Sequence, residues 1–171
     1  MCEEIRIYVA DLAAYNNGKL HGVWIDATED PDTIQDQIND MLSSSPELYS
    51  EEWAIHDYEG YCGYRLSEYE GIQSAHELAC FIEEEGEIGS ALLNHFGGDL
   101  EDAKKASEDN YSGCYTSLAD YAQEWTENTS EVPEHLQHYI DYERMGRDME
   151  LSGDIYTIET AFDEVHVFWS H

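Results

Sequence analysis

The sequence predicts an α+β fold built from two or three small units. β-type runs lie near the two ends of the chain, and helical periodicity fills the region between them. Strands and helices do not alternate along the chain, as they would in a parallel sheet with crossover helices. With 171 residues, none of the small units could bury much apolar area alone.

Three β-type runs open the chain. Residues 5–9 alternate apolar and polar side chains, and further runs follow at Val23–Ile25 and Trp53–Tyr58. The turn residues Asn16, Asn17 and Gly18 separate the first two runs. We therefore expect a small antiparallel sheet in this region.

The segment DPDTIQDQIND, residues 30–40, predicts a helix capped by Asp30 with Pro31 in its first turn. Its apolar face carries Ile34, Ile38, Met41 and Leu42, at helical spacing. The opposite face places three carboxylates one turn apart, those of Asp32, Asp36 and Asp40. Each like-charged pair at this spacing costs about 0.2–0.5 kcal/mol, so the file of acids weakens the helix that carries it.

Helices are predicted next. A capping box at residues 74–77 opens the first, which Gly86 ends. A second helix runs from Glu87 to Phe96, and Asp99 caps a third that extends to Asp109.

The last third of the chain combines helices and strands. Ser117 opens a helix with Leu118, Tyr121, Ala122 and Trp125 on one face, and Pro133 starts another. Two β-type runs, Ile155–Glu159 and Val165–Trp169, close the chain.

The charge is the most unusual property of the sequence. Asp and Glu number 39 against 7 Lys and Arg, which gives a formal net charge of −32. The acids are spread evenly and not confined to a tail, so the folded surface itself is the candidate functional feature. Seven scattered bases exclude a basic patch for DNA or RNA, and we expect no direct nucleic-acid binding.

Four of the seven bases fall on two predicted helices. Opposite charges lie four residues apart at Glu101–Lys105, Lys104–Glu108, Glu143–Arg147 and Arg144–Asp148. These faces would resemble DNA least and are candidates for packing between domains or subunits.

Catalytic and metal-binding patterns are weak. Paired carboxylates carry no information among so many acids, and no phosphate loop, dinucleotide fingerprint or Gly-x-Ser-x-Gly motif occurs. His135 and His138 lack a third ligand at defined spacing. His76 and Cys80 lie four residues apart, but Cys80 falls on the apolar side of its helix and is expected in the core. We expect no enzyme activity, no cofactor and no metal.

Four cysteines without a Cys-x-x-Cys motif indicate neither a zinc site nor a dense disulfide framework. The acidic N-terminus lacks the basic residues of a signal peptide, and no apolar run approaches the length of a membrane span. A cytoplasmic protein without membrane contact is expected.

The acidic surface suggests mimicry of DNA, because 32 charges equal those of roughly 16 base pairs. Two alternatives remain from composition: an acid excess that serves solubility or adaptation to high salt, and a decoy for another DNA-binding protein. The candidate mimicking surface gathers acids with few neutralising partners. These are Asp26, Glu29, Asp30, Asp32, Asp36, Asp40, Glu51, Glu52, Glu83, Glu84, Glu85, Glu87, Asp120, Glu124 and Glu127.

Several segments carry a resemblance to a known family. They are IYVADLAAYNNGKLHGVWIDA (residues 7–27), LLNHFGG (92–98), SLADYAQEWTE (117–127) and VPEHLQHYIDYERMGRDMELSGD (132–154). The chain resembles the ArdA family of antirestriction proteins, carried on plasmids and conjugative transposons, over essentially its whole length.

The resemblance implies a DNA mimic that occupies the DNA-binding channel of type I restriction-modification enzymes, in the methyltransferase core. It further implies an elongated three-domain chain that forms a homodimer through its C-terminal part. We place the domains at residues 1–61, 62–103 and 104–171, with dimer contacts expected in the third. The family supplies no catalytic residues, since its working groups are distributed carboxylates.

Overall fold

The computed structural model describes residues 4–170. Cys2 therefore lies outside the described residues. The chain divides into two compact units, of which the first ends at Leu100 and the second begins at Glu101. Each unit contains a three-stranded antiparallel sheet with helices. The α+β class is confirmed, and the division into three domains stays a prediction.

The first sheet contains the three predicted strands: β1 (Arg6–Asp11), β2 (Gly22–Asp26) and β3 (Trp53–Glu59). β1 lies in the centre and pairs antiparallel with both neighbours, in the order β2-β1-β3. A short helix, α1 (Leu12–Asn16), precedes the predicted turn between β1 and β2. Gly18 has a φ of 77° in that turn, a conformation that glycine adopts without steric cost.

Helix α2 (Pro31–Ser43) has the predicted start, with Asp30 at the N-cap position and Pro31 in the first turn, although the Asp30 side chain makes no capping hydrogen bond. It buries Ile34, Ile38 and Met41, whereas Leu42 is half-buried. β1 buries Ile7, Val9 and Ala10, β2 buries Ile25, and α2 contacts both strands. Burying one such side chain contributes about 1.5–3 kcal/mol, which is more than the like-charge repulsion along the exposed face costs.

The next two helices are α3 (Ile72–Glu85) and α4 (Glu87–His95), and α3 ends before Gly86 as predicted. The predicted capping box is wrong, because the N-cap of α3 is Gly71, three residues before Ser74. Gly71 has a φ of 85° and carries no side chain to cap the helix. The Ser74 hydroxyl donates instead to the Glu70 carboxylate, 2.7 Å away.

The predicted helix to Asp109 is interrupted. α5 (Leu100–Lys105) passes into a wider π-helical turn at Ala106–Asn110, and the chain then enters an unpredicted strand, β4 (Tyr111–Tyr115). A π turn changes the angular spacing of side chains, so residues four apart across it no longer share a face.

The second sheet has the order β4-β6-β5 and is antiparallel throughout. Its other strands are the two predicted at the end of the chain, β5 (Ile155–Ala161) and β6 (Glu164–Trp169). Tyr121, Ile155, Val165 and Val167 form a buried cluster in this unit.

Besides most of α5, the second unit contains the helices α6 (Leu118–Thr129) and α7 (Tyr142–Leu151). α6 begins as predicted, with the Ser117 side chain accepting from the Asp120 backbone N–H. The segment after Pro133 is a 3₁₀ helix, Glu134–Tyr139, and α7 follows it. Among the helices of residues 4–170, none combines the length and apolar character needed to cross a bilayer.

Candidate acidic binding surface

Helix α2 presents Asp32, Asp36 and Asp40 to solvent, and all three side chains are exposed. The buried Ile34 and Ile38 are also four residues apart, on the opposite side of the helix. At a rise of about 1.5 Å per residue, successive carboxylates stand about 6 Å apart along the axis. The helix therefore displays an evenly spaced row of negative charge, slightly inclined to its axis.

Acids of the neighbouring loops are mostly exposed as well. Glu29 and Asp30 precede α2, and Glu51 and Glu52 precede β3; all four are exposed. Asp26 is half-buried, and its Oδ1 accepts hydrogen bonds from both the backbone N–H and the hydroxyl of Thr28, at 2.9 and 2.6 Å. The Asp26 carboxylate is thus partly engaged within the fold.

A second group of acids stands where α3 meets α4. Glu83, Glu84 and Glu87 are exposed, whereas Glu85 is half-buried. The Cβ of Glu85 lies so close to Gly89 that a Cβ built there would approach it to 2.9 Å. The helix junction therefore displays three of these four predicted carboxylates fully.

The second unit repeats the arrangement on α6, where Asp120, Glu124 and Glu127 are all exposed. Their spacing of four and three residues places them along one face. Asp120 accepts a hydrogen bond from the Thr116 hydroxyl, and Glu127 accepts one from the Gln123 amide at 3.1 Å. Both partners are uncharged, so the face keeps its negative charge.

None of the predicted surface acids belongs to an ion pair among the described residues. The recorded pairs are Arg6–Glu59, Lys19–Glu47, His56–Glu68 and Glu143–Arg147. Only Glu143–Arg147, at 3.9 Å, confirms one of the four pairs predicted at helical spacing. The other three predicted pairs are wrong within residues 4–170. Lys104–Glu108 straddles the start of the π turn, which offers a physical reason for its loss.

The candidate metal ligands are placed as follows. His135 and His138 are exposed on the 3₁₀ helix. His76 Nδ1 lies 3.0 Å from the Ala27 carbonyl oxygen, and its Nε2 lies 3.6 Å from the Cys80 Sγ, although Cys80 is only half-buried and not in the core. Among residues 4–170, no group of three or more His, Cys, Asp and Glu side chains is placed to bind a metal ion.

The sequence reading missed one buried acid that supports this surface. Asp11 is fully buried, and its Oδ1 accepts from the backbone N–H groups of Ala13 and Ala14, at 3.0 and 3.3 Å. Its carboxylate also accepts from the hydroxyls of Ser45 and Ser50. This cluster joins the start of α1 to the loop that leads to Glu51 and Glu52.

The ionisation of Asp11 follows from these contacts. Burial alone would raise the pKa of Asp11, but hydrogen bonds from Ser45, Ser50 and the backbone of Ala14 and Ala13 lower it below its usual value. The carboxylate is thus held charged in the interior. An acid that follows an alternating strand and precedes Leu-Ala-Ala is the one local sign of this helix cap.

Repulsion between Asp32, Asp36 and Asp40 is expected to destabilise α2 by a measurable amount. Asp36→Asn removes two like-charge contacts, with Asp32 and Asp40, and Asn has nearly the same helix propensity as Asp. We expect the free energy of unfolding to rise by about 0.4–1 kcal/mol at low salt. Urea denaturation followed by circular dichroism measures this change.

Salt supplies the control for this variant. Screening shortens the range of exposed charges to about 3 Å at 1 M salt, so the difference between Asp36→Asn and wild type should vanish there. An equal gain at both salt concentrations would contradict the repulsion and point to a change in packing.

Both α+β units thus present exposed carboxylates on helix faces and loops, outside the ion pairs of residues 4–170. The chain matches the family model described as antirestriction protein (ArdA) over residues 7–164. It therefore belongs to the ArdA family of antirestriction proteins, as its sequence motifs predicted. A search of curated proteins found no match to the chain.

Proposed function

We propose that the protein is a DNA mimic that occupies the DNA-binding channel of type I restriction-modification enzymes. By doing so it blocks restriction, and also modification, of incoming DNA. The observation that supports the proposal best is the exposure of the acidic surface: 13 of its 15 predicted carboxylates are exposed and two are half-buried. Membership of the antirestriction family indicates restriction enzymes as the class of partner for this surface.

The spacing of the acids supports mimicry by several elements together. One DNA strand advances about 3.4 Å per phosphate, whereas a file on α2 advances about 6 Å per carboxylate. One file is too sparse, so neighbouring files must interleave to reproduce the charge density of a duplex. We expect the exposed acids of the loops and of the α3–α4 junction to supply such neighbours within the first unit.

The mechanism is competition for basic side chains. Lysines and arginines of the enzyme channel, which normally neutralise phosphates, pair instead with the carboxylates. Phosphate contacts position a duplex and base contacts specify its sequence, so a charge mimic inhibits enzymes of different target specificity. The protein itself acts without catalysis, cofactor or direct binding to nucleic acid.

The assembly belongs to the same proposal. The working form is a homodimer joined through its C-terminal part, each chain having three domains, and it acts in the cytoplasm on behalf of a plasmid or conjugative transposon. Sedimentation equilibrium of the purified protein tests the dimer directly, and a monomer at all concentrations would contradict it.

Displacement of DNA tests the proposed function. The protein is titrated into a type I methyltransferase bound to a labelled duplex, and release is followed by fluorescence anisotropy at moderate salt. We expect release at near-stoichiometric protein for duplexes with or without the target sequence, and weaker competition as salt rises.

Two other outcomes would overturn the proposal. Folded protein that releases no DNA from this enzyme, yet releases it from unrelated DNA-binding proteins, is a decoy with another target. Protein that unfolds at low salt and competes nowhere is a salt-adapted acidic domain. Circular dichroism in the same buffer separates loss of folding from loss of competition.

A further inference from the structure

Two rows of side chains cross the solvent-facing side of the first sheet. The buried Ile7 and Ile25 point to the opposite side, because neighbouring residues on a strand alternate between faces. Directly paired residues on the three strands form each row. They are the charged row, Asp26, Arg6 and Glu59, and the aromatic row, Trp24, Tyr8 and Asp57.

The charged row holds a cation of its own. Arg6 forms an ion pair with Glu59, and its guanidinium carbon lies 5.5 Å from the centroid of the Trp24 ring. The face therefore already binds one guanidinium group, between a carboxylate and an indole ring. Both contacts are favourable for arginine, whose planar group pairs with carboxylates and stacks on aromatic faces.

The aromatic row also combines an acid with aromatic rings, and its Trp24 ring is the one that Arg6 contacts. The ring centroids of Tyr8 and Trp24 are 5.3 Å apart and the ring planes are tilted by 51°. Trp24 is 39% exposed. Asp57 stands opposite Tyr8 and is exposed; its Oδ1 accepts from the backbone N–H of Tyr58. Within residues 4–170, no basic side chain lies within ion-pair distance of Asp57.

The negative charge on the open face of the first sheet indicates what kind of partner could bind there. The two rows contain three acids and one base, on a chain of net charge −32. Exposed aromatic side chains on a sheet also serve as stacking platforms for nucleobases, but those platforms rely on positive charge to hold the backbone. An acidic face favours a basic protein surface instead.

We propose that the open face of the first sheet is an arginine-binding surface. The aromatic row takes an arginine side chain from the DNA-contacting surface of the inhibited enzyme, with the guanidinium against Tyr8 and Trp24 and paired with Asp57. The identity of the partner rests on the proposed function, whereas the preference for arginine rests on the geometry of the row.

Peptide binding tests the preference independently of any restriction enzyme. Hexa-arginine and hexa-lysine carry equal charge, and only the former has planar groups that stack on the rings. We expect wild-type protein to bind hexa-arginine about 3–10-fold more tightly than hexa-lysine by calorimetry, and Trp24→Leu to reduce this ratio to below about twofold.

Trp125→Leu is the matched control, because Trp125 is 38% exposed on the acidic helix α6. It should keep the wild-type ratio. Loss of the ratio in both variants, or retention in Trp24→Leu, would overturn the inference.

A second pair of variants leaves both rings in place. Asp57→Asn and Asp109→Asn each remove one negative charge from an exposed residue, so their general electrostatic effect is equal. We expect Asp57→Asn to weaken hexa-arginine binding about 2–5-fold more than Asp109→Asn. Equal effects in folded proteins would contradict pairing with Asp57.

The displacement assay separates this inference from the proposed function. Trp24→Leu should need several-fold more protein than Trp125→Leu to release the duplex. Peptide preference without any displacement by wild type would reject the proposed function and keep the arginine-binding face. Normal displacement without peptide preference would reject the face and keep the proposed function.

Discussion

Converting six exposed carboxylates to amides together is expected to weaken displacement of DNA by about eightfold or more. The variant changes Asp32, Asp36, Asp40, Glu51, Glu83 and Glu84, all exposed and outside the recorded ion pairs. Exposed pairs contribute about 0.2–1 kcal/mol each, so six together correspond to about 1.2–6 kcal/mol. Each single change should alter inhibition by less than about fivefold.

The matched control converts six other exposed acids: Glu101, Glu108, Asp109, Asp148, Asp154 and Asp163. Both variants lose six negative charges, so a purely general effect of net charge would weaken them equally. We expect the control to remain much closer to wild type, with sedimentation confirming that its assembly is unchanged. A single Asp→Asn change that abolishes inhibition would contradict the distributed mechanism.

Loss of the buried Asp11 carboxylate is expected to destabilise the first unit strongly. Asp11→Ala removes the acceptor for two backbone N–H groups and two serine hydroxyls. Loss of a helix cap costs about 0.5–2 kcal/mol, and unsatisfied buried donors cost about 1–3 kcal/mol each where water cannot reach them. We expect a loss of about 2–4 kcal/mol in the free energy of unfolding, measured in urea.

Asp11→Asn and the pH dependence control this result. Asn keeps an acceptor oxygen and should lose about 1 kcal/mol. Because the native pKa of Asp11 is lowered, its charged form stabilises the fold above the ordinary value of 3.8 and the contribution is lost as pH falls below it. The difference in free energy of unfolding between wild type and Asp11→Asn should therefore shrink below about pH 4. Parallel curves for the two proteins would contradict the assignment.

Several helices and all strands except β4 could be predicted because their signals are local. The short helix α1 was not predicted, and the segment after Pro133 is a 3₁₀ helix. The apolar stripe of α2, the end of α3 at Gly86 and the Ser117 cap all depend on residues within a few positions. β4 was missed because Tyr-Ser-Gly-Cys-Tyr does not alternate apolar and polar side chains. Its pairing with β6 joins Tyr111 to Phe168, far apart in the sequence.

The candidate acidic surface was likewise predictable in part from the sequence. Exposure of the acids on α2 and α6 follows from helical phase, which the sequence contains. The partial burial of Asp26 and Glu85 depends on Thr28 and on close packing beside Gly89, and phase alone does not reveal it. The loss of predicted ion pairs near the π turn is likewise a property of the folded chain.

Composition, motifs and periodicity were enough to predict the excess of negative charge, the family and the α+β class, because these signals do not depend on contacts between distant segments. Packing between distant segments sets which carboxylates remain exposed and which are buried as supports. Asp11 meets Ser45 and Ser50 across 34 and 39 residues, and strand register sets Tyr8 beside Trp24 and Asp57. Such contacts arise when distant segments pack together, so no local pattern encodes them.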